Sequence, residues 1–405
     1  MTRSNPATNP TTRNRTILIS GASAAGPALA FWLHRYGFAV TVVEKAPAPR
    51  GGGYPIDVRG AALHVVQRMG ILPVLRDAHI ERRQMTFLGA DGGEVVSFDP
   101  RDTADTSDVG DLEIRRGELA AALHTAIRDD VELLFNDAID TLQQSDTGVA
   151  VTFRSGAERT FDLVIGADGM HSRTRELLFG GEEQFHRYLG YCFAGFSIPN
   201  YLNLSHELVL WNTPGRAAGL SAVGTNDDMD GLLAFARAER PFHALRDEHA
   251  QRELVERTFA DAGWEVPGML TAMHNTDDLF FDVVSQIHMP RWSQGRVVLV
   301  GDAAYAPSFL TGQGTSLALV GAYMLADALA KNRDHTAAFA AYEHNTRDFV
   351  ARNQALVGNG DAALFPTTAQ ALDRRNTMLQ HGTMPVSTPR PAHSAITLPE
   401  FVPTS

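Results

Sequence analysis

The sequence is poor in cysteine, with Cys192 as the single one among 405 residues. One thiol can form neither an intrachain disulfide nor a thiolate zinc site. The fifteen histidines show no HExxH or similar ligand spacing, so we predict no metal. Such low cysteine usage is typical of a reducing compartment, and we expect a cytoplasmic location.

Long hydrophobic runs and basic clusters are also absent. The most apolar stretch, Leu317 to Ala330, contains Asp327 and is shorter than the roughly 20 residues that span a bilayer. The net charge is -12 without a compensating Lys or Arg run, which disfavours a nucleic acid partner. Residues 1–14 are polar and predict a flexible arm, not a signal peptide. We therefore expect a soluble protein that binds neither membrane nor nucleic acid.

Apolar residues are sufficient for a large core, since 44% of the chain is hydrophobic and only 20% is charged. The stretch TILISGASAAGPALAFWLHRYGFAVTVVEK predicts a strand, a helix and a second strand, the front half of a βαβ unit. Between residues 185 and 285 short strands separated by turns predict an antiparallel sheet. The parallel pattern returns at GRVVLVGDAAYAP, and two long helices follow it.

The turn GASAAG, residues 21–26, matches two functional motifs incompletely. A dinucleotide fingerprint has glycine at its third position, where this chain has Ser23, and a hydrolase elbow would need glycine at Ala25. Glu44 ends the second strand at the spacing of the acidic residue that binds a ribose, which favours the nucleotide site. The elbow would also need several earlier strands. An ordinary turn without a ligand fits this motif nearly as well.

Two further segments favour nucleotide binding. In LVIGADGMHSRTR and GRVVLVGDAAYAPSFLTGQGTSLALVGAYMLADAL, a buried strand runs into a turn that contains glycine and an aspartate, Asp168 or Asp302. Ligands bind at this edge of α/β sheets, and ribityl hydroxyls are suitable donors to a buried carboxylate. Gly312, Gln313 and Gly314 directly precede a helix, whose free amides can face an anion such as a reduced isoalloxazine.

Together these segments resemble the FAD-dependent aromatic monooxygenases of the para-hydroxybenzoate hydroxylase fold, over Thr16 to about Leu356. GGGYPIDVRG, GFSIPNYLNL and GQGTSLALVGAY look most like the branch of tetracycline-inactivating monooxygenases and actinomycete polyketide hydroxylases. The resemblance implies an α/β fold, with a Rossmann-like FAD-binding domain, an inserted antiparallel β-sheet substrate domain and a C-terminal helix. We place the FAD-binding domain at residues 15–184 and 286–334, the substrate domain at 185–285, the C-terminal helices at 335–382 and an extended Pro-rich tail at 383–405.

The resemblance also assigns cofactor-binding residues. Three positions depart from the family: Ser23 replaces a glycine, Tyr305 a histidine and Phe309 a proline. Arg50 is implied to contact NADPH, and Arg175 matches a downstream basic residue. By their positions in the family's motifs, the residues implied to hold FAD are Gly21, Ser23, Ala24, Ala25, Gly26, Glu44, Lys45, Asp57, Arg59, Arg116, Asp168, Gly169, Gly301, Asp302, Pro307, Gly312, Gln313, Gly314 and Thr315.

The implied activity is NADPH- and FAD-dependent hydroxylation of a polycyclic phenolic or enolic molecule, such as a tetracycline or an aromatic polyketide. O2 would react through a flavin C4a-hydroperoxide, which decays unless water is excluded. Aromatic residues of the second domain are therefore candidates for the substrate wall. Alternation along a strand places Phe193 and Phe196 on opposite faces, so at most one of them faces substrate. The candidates are Phe196, Trp211, Phe235 and Phe309, and ordinary core packing is the alternative for each.

Other functions stay open at this level. A flavin-dependent oxidase or halogenase would share the fold, although the tryptophan-rich halogenase signature is absent. A non-catalytic flavoprotein that binds a planar drug is a third hypothesis, and a hydrolase is the last. The helix of Thr336 to Leu356 could brace the two domains or gate the substrate opening. A monomer and a homodimer fit equally well.

Overall fold

The computed structural model describes residues 15–49, 53–103, 110–224, 226–241, 244–358, 365–382 and 390–402. Arg50 and the predicted arm of residues 1–14 lie outside the described residues. Within those ranges no helix has the length and apolar character needed to cross a membrane.

Strands and helices alternate in the first part of the chain and separate later. The strands are β1 (Thr16–Ser20), β2 (Ala39–Glu44), β3 (Pro55–Val58), β4 (Gln84–Leu88), β5 (Glu94–Phe98), β6 (Leu112–Arg115), β7 (Glu132–Phe135), β8 (Ile139–Gln144), β9 (Val149–Phe153), β10 (Glu158–Phe161), β11 (Leu163–Gly166), β12 (His186–Pro199), β13 (Glu207–Thr213), β14 (Arg216–Ala222), β15 (Asp228–Ala236), β16 (Phe280–Ile287), β17 (Ser293–Gln294) and β18 (Val297–Leu299). The helices are α1 (Ala25–Arg35), α2 (Ala61–Met69), α3 (Leu72–Asp77), α4 (Pro100–Thr103), α5 (Arg116–Thr125), α6 (Arg173–Phe179), α7 (Glu248–Phe259), α8 (Val266–Asn275), α9 (Asp302–Tyr305), α10 (Gly314–Lys331), α11 (His335–Gln354), α12 (Ala369–Gln380) and α13 (Arg390–His393).

The first large sheet has the order β17-β18-β11-β1-β2-β7 in the described part of the chain and is parallel except for β17. Its inner strands are apolar runs, as expected where both faces are covered. Ser20 is level with Val43 and Gly166, and Gly166 is level with Leu299. The strands therefore end in one row, which places the turns that follow them side by side.

The second large sheet has the order β16-β12-β15-β14-β13-β4-β5 in the same described ranges. Its strands pair antiparallel except for β13 with β4. Because β4 and β5 belong to residues 84–98, the sheet extends beyond the boundary predicted at residues 185–285. Helices α7 and α8, which the strand pattern did not indicate, cover one face with apolar side chains.

Strand β6 pairs with β3, and α5 begins directly after it at Arg116. The described part of the tail, residues 390–402, is not simply extended over the surface. It contains α13, the Asn353 Nδ2 amide donates to Ala392 O, and the Phe401 ring packs against Trp32. Hydrophobic contacts thus anchor this segment on the first layer.

Candidate active site

Two of the predicted cofactor glycines are required by close backbone contacts. Gly21 has φ +106°, and a Cβ atom there would lie 2.4 Å from Ala167 O in the turn after β11. A Cβ atom on Gly26 would lie 1.9 Å from Gly21 O, so only glycine lets α1 start this close to β1. Gly301, after β18, faces Ala25 of the same helix. The three glycine turns therefore meet at one edge of the sheet.

The residues around the first turn are connected to one another. The Arg116 Nη2 donates to Ser23 Oγ at 3.0 Å, which joins the start of α5 to the turn. Glu44 accepts from the Ala22 amide at 2.8 Å and from the Ala46 amide at 2.9 Å. Lys45 is exposed beside it, and Ala24 is half-buried in the turn. Glu44 thus holds the backbone of the turn that the sequence predicts to bind a nucleotide.

Asp302 begins α9 at the carboxyl edge of the sheet. No described residue donates a hydrogen bond to its carboxylate, and burial raises its pKa while the charge of Arg116 opposes the rise. Arg175 is fully buried and donates to Ala303 O at 3.0 Å and to Met170 O at 2.6 Å. Arg175 therefore positions α9, and Asp302 keeps its acceptors for hydroxyl groups such as those of a ribityl chain.

Asp168 differs from Asp302 in its contacts. Its carboxylate accepts from the Thr174 amide and Thr174 Oγ1, both at 2.9 Å, and from Ser172 Oγ at 2.5 Å. The side chain therefore caps the start of α6. Gly169 follows with φ +84° and open space around its Cα, so backbone there can approach a ligand.

The start of α10 meets the end of β3. Asp57 Oδ1 lies 2.9 Å from Arg59 Nη2, and a Cβ atom on Gly312 would come within 2.7 Å of Asp57 Oδ2. Burial raises the pKa of Asp57 to about 6, against the opposing charge of Arg59. The Gln313 side chain is buried, and neither of its polar atoms has a partner among the described residues. The adjacent Thr315 is half-buried at the free end of α10.

These features fit an FAD molecule. A close-packed glycine turn and the unpaired amides of a helix N-terminus suit a pyrophosphate or a flavin pyrimidine edge. A carboxylate without a protein partner suits a ribityl chain, and Asp302 supplies it. The glycine turn and the carboxylate lie at the ends of β1 and β18, with only β11 between them, which agrees with a single extended ligand.

Three of the four predicted substrate residues lie on the face of the second sheet that α7 and α8 cover. Phe196, Trp211 and Phe235 are 5%, 1% and 2% exposed and pack in the core beneath α7 and α8. The Phe196 ring lies over Gly231 of the neighbouring strand, where a Cβ atom would be only 3.0 Å from it. These residues stabilise the sheet as ordinary core, which is the alternative that the sequence left open for each of them.

The opposite face carries a continuous row of aromatic rings. Centroids lie 5.9 Å apart for Tyr54 and Phe280, 5.7 Å for Phe280 and Phe193, 4.7 Å for Phe193 and Phe309, and 6.0 Å for Phe309 and Phe365. Phe193 is thus the member of the Phe193 and Phe196 pair that faces this side. The row, which we call the aromatic wall, connects the β3 loop, the sheet and the loop after α9. Phe280 was not predicted, since the FFDVVSQI sequence of β16 has no regular alternation that separates its two faces.

Hydrogen bonds hold the loop after α9 against this wall. Gln286 Nε2 donates to Pro307 O at 3.0 Å and to Gln354 O at 2.7 Å. The Gln354 Nε2 in turn donates to Ile287 O at 2.9 Å. Because Gln354 ends α11, this helix braces the junction between the two layers, which favours bracing over a gate.

Each departure from the family pattern has its own contact. Ser23 accepts from Arg116, as described above. Tyr305 points away from the turn into the core, where its hydroxyl lies 2.9 Å from Tyr342 Oη, and burial raises its pKa to about 12. Phe309 packs on Phe193 with an aromatic face that proline lacks.

Comparison with known proteins agrees with this site. The profile of the FAD binding domain family matches residues 14–357. A flavin-dependent monooxygenase from an unknown prokaryotic organism is 39% identical over 393 residues, which are 95% of this chain and 98% of the relative. The chain belongs to the FAD-dependent monooxygenases.

Two further matches place the monooxygenase within its family. An uncharacterised protein of Mycobacterium tuberculosis (strain ATCC 25618 / H37Rv) is 43% identical over 366 residues, 89% of this chain and 97% of that protein. The crystal structure of the tetracycline destructase Tet(55) superposes with a TM-score of 0.83 at 36% identity, over 96% of this chain and 99% of that one. The predicted fold class and FAD dependence are confirmed.

A charged cluster of the monooxygenase, which the sequence reasoning missed, connects the Asp168 turn to the second sheet. His171 Nδ1 lies 2.9 Å from Glu182 Oε2, and its Nε2 lies 3.2 Å from Asp282 Oδ1 on β16. Hydrogen bonds to Asp282 and Glu182 raise the pKa of His171 to about 9. Against the effect of burial, His171 and Arg240 lower the pKa of Glu182 to about 2. Burial lowers the pKa of the neighbouring His186 to about 4.

The cluster predicts a pH-dependent stability contribution from His171. Because its folded pKa is raised above the unfolded value of about 6.5, the contribution is complete below pH 6.5 and is lost as the pH rises through 9. We expect H171Q to lower the melting temperature at pH 6 and to match the wild type above pH 9. Thermal melts from pH 6 to 10 measure this, with H249Q as the control because the His249 side chain on α7 is exposed. A difference that does not change with pH would contradict the role of the His171 charge.

Replacement of Asp302 by alanine is expected to weaken FAD binding about tenfold or more. The variant removes the acceptor that we propose for the ribityl hydroxyls, and a hydrogen bond to a charged group contributes about 1.5–3 kcal/mol. Flavin content after purification and titration of the apoprotein with FAD measure the effect. D348A, which removes an exposed carboxylate on α11, is the control. Undiminished flavin binding by D302A would remove Asp302 from the proposed site.

Proposed function

We propose that the monooxygenase uses NADPH, FAD and O2 to hydroxylate a polycyclic phenolic or enolic molecule of the tetracycline or aromatic polyketide type. The observation that carries this proposal is the aromatic wall, because Tyr54, Phe280, Phe193 and Phe309 present successive rings on the side of the loop after α9. The three ring pairs are tilted, and together they offer an extended aromatic surface that suits a wide planar ligand. The 36% identity to the tetracycline destructase Tet(55) supports the same substrate class.

The protein's contribution is placement and exclusion of water. When bound, the flavin supplies the redox chemistry that activates O2. Gly21, Gly26 and Asp302 would hold the cofactor at the sheet edge. The hydrogen bonds from Gln286 and Gln354 keep the Pro307 loop in position, and Phe309 and Phe193 shield the space beside it. An apolar enclosure of this kind protects a reactive oxygen species from water.

Oxidation of NADPH by the purified holoenzyme tests the proposal. We expect a yellow protein whose NADPH consumption is accelerated by tetracyclines or aromatic polyketides, with products heavier by one oxygen atom. Monocyclic phenols are the control, since they cover only part of the aromatic wall. Peroxide formation without a product would instead indicate an oxidase. Ligand binding without NADPH consumption would indicate a non-catalytic flavoprotein.

A further inference from the structure

A second polar cluster lies where the strand pair β3–β6 meets the second sheet. Arg115 Nη2 lies 3.5 Å from Asp230 Oδ2 on β15. Beside this pair, Arg82 donates to Glu113 Oε1 at 2.6 Å and to Ser221 Oγ at 3.4 Å. The first layer supplies Glu113 and Arg115, and the sheet supplies Asp230 and Ser221.

The register of the sheet places Asp230 on the face of the aromatic wall. Asp230 is level with Ser197 and Ser221, two residues along the strands from the row of Phe280, Gly195 and Leu232. Strand residues two apart share a face, so Asp230 and Phe193 point to the same side. Arg115 directly precedes Arg116, which binds the cofactor turn. The pair therefore lies at the end of the proposed substrate face.

The pair is incompletely hydrogen-bonded. Among the described residues, Arg115 Nε and Asp230 Oδ2 are buried without a hydrogen-bond partner. Their 3.5 Å separation exceeds the 2.7–2.9 Å typical of a charge-assisted hydrogen bond. Burial raises the pKa of Asp230, opposed by the charges of Arg115 and Arg82. Partly satisfied charged pairs destabilise a fold, and such exceptions are expected at functional sites.

The surface of the second sheet beside the pair is open at Gly195. A Cβ atom on Gly195 would meet a single atom within 4 Å, Gly231 O at 3.9 Å. The side chains of Arg115 and Asp230 are 25% and 16% exposed, so part of each, other than the buried Arg115 Nε and Asp230 Oδ2, is accessible. A flat ligand lying over Gly195 and against Phe280 would bring its edge to the pair.

We propose that Arg115 and Asp230 form a specificity pocket that binds a substrate edge carrying a carbonyl next to a hydroxyl, as in a keto-enol. The Arg115 guanidinium donates to the carbonyl oxygen, and the Asp230 carboxylate accepts from the hydroxyl. This inference rests on the proposed function and names the part of the substrate that the polar end of the site recognises. The Arg115 guanidinium alone would bind any hydrogen-bond acceptor. The pair of Arg115 and Asp230 instead selects a ligand that carries an acceptor and a donor side by side.

The test uses the FAD-loaded full chain and two planar ligands. Tetracycline carries the keto-enol edge, and 2-hydroxyanthracene is a planar phenol without it. Dissociation constants are measured from the change in flavin absorbance for the wild type, D230N and R115Q. D228N is the matched control, because Asp228 is an exposed carboxylate two residues away on the same strand.

We expect D230N and R115Q to bind tetracycline at least tenfold more weakly, with unchanged FAD content and unchanged affinity for 2-hydroxyanthracene. Equal losses for both ligands, no loss for either, a similar loss in D228N, or a wild type that does not bind tetracycline would each overturn the inference. Selective loss of tetracycline binding in an enzyme that oxygenates neither ligand would support the pocket and contradict the proposed function.

Discussion

The G26A variant is expected to lose FAD and a large part of its stability. The added methyl group would lie 1.9 Å from Gly21 O, a rigid backbone atom, so α1 must move away from β1. Overpacking of a core typically costs up to about 3 kcal/mol, and a backbone clash leaves little room for relaxation. The displaced helix would also misplace Ala25, which contacts Gly301 in the third turn. Flavin absorbance and thermal melting of the purified variant measure both effects.

A matched control separates this clash from the general effect of replacing glycine. At Gly263 an added Cβ atom would meet no other atom within 4 Å. We expect G263A to retain FAD and the wild-type melting temperature. Full flavin occupancy in G26A would show that the helix can shift without cost and that the first turn does not hold the cofactor as proposed.

The F196A and F193A variants are expected to affect different properties. Phe196 is buried in the core beneath α7 and α8, and truncation of a buried phenylalanine costs about 3–5 kcal/mol. Phe193 lies in the aromatic wall, where an aromatic pair contributes about 0.5–1.5 kcal/mol beyond its buried area. We therefore expect F196A to lower stability strongly, and F193A to raise the substrate KM by about tenfold.

Chemical denaturation and steady-state kinetics on the two variants check this assignment. Their positions three residues apart on β12 make each a control for the other, since both remove the same side chain from the same strand. A raised KM in F196A with normal stability, together with an unstable F193A, would mean that the substrate binds on the opposite face of the sheet.

The sequence alone was sufficient to predict the sheet edge at which the glycine turns meet. Glycines at Gly21, Gly26 and Gly301 follow apolar strands, and parallel strands of similar length end in the same row. Local period-two alternation also separated Phe193 from Phe196 correctly. These inferences depend only on residues that are neighbours in the chain, so local sequence patterns are sufficient to predict them.

Only the tertiary structure decided which face of the second sheet carries the aromatic wall. Alternation divides a strand into two sets of residues, but the set beneath α7 and α8 depends on how helices distant in sequence pack. The same holds for β4 and β5 joining the sheet, for the contact of Arg116 with Ser23, and for the pairing of Arg115 with Asp230. Each of these contacts joins segments that are far apart in the chain. Their formation depends on how the whole core packs, and local sequence periodicity contains no information about that packing.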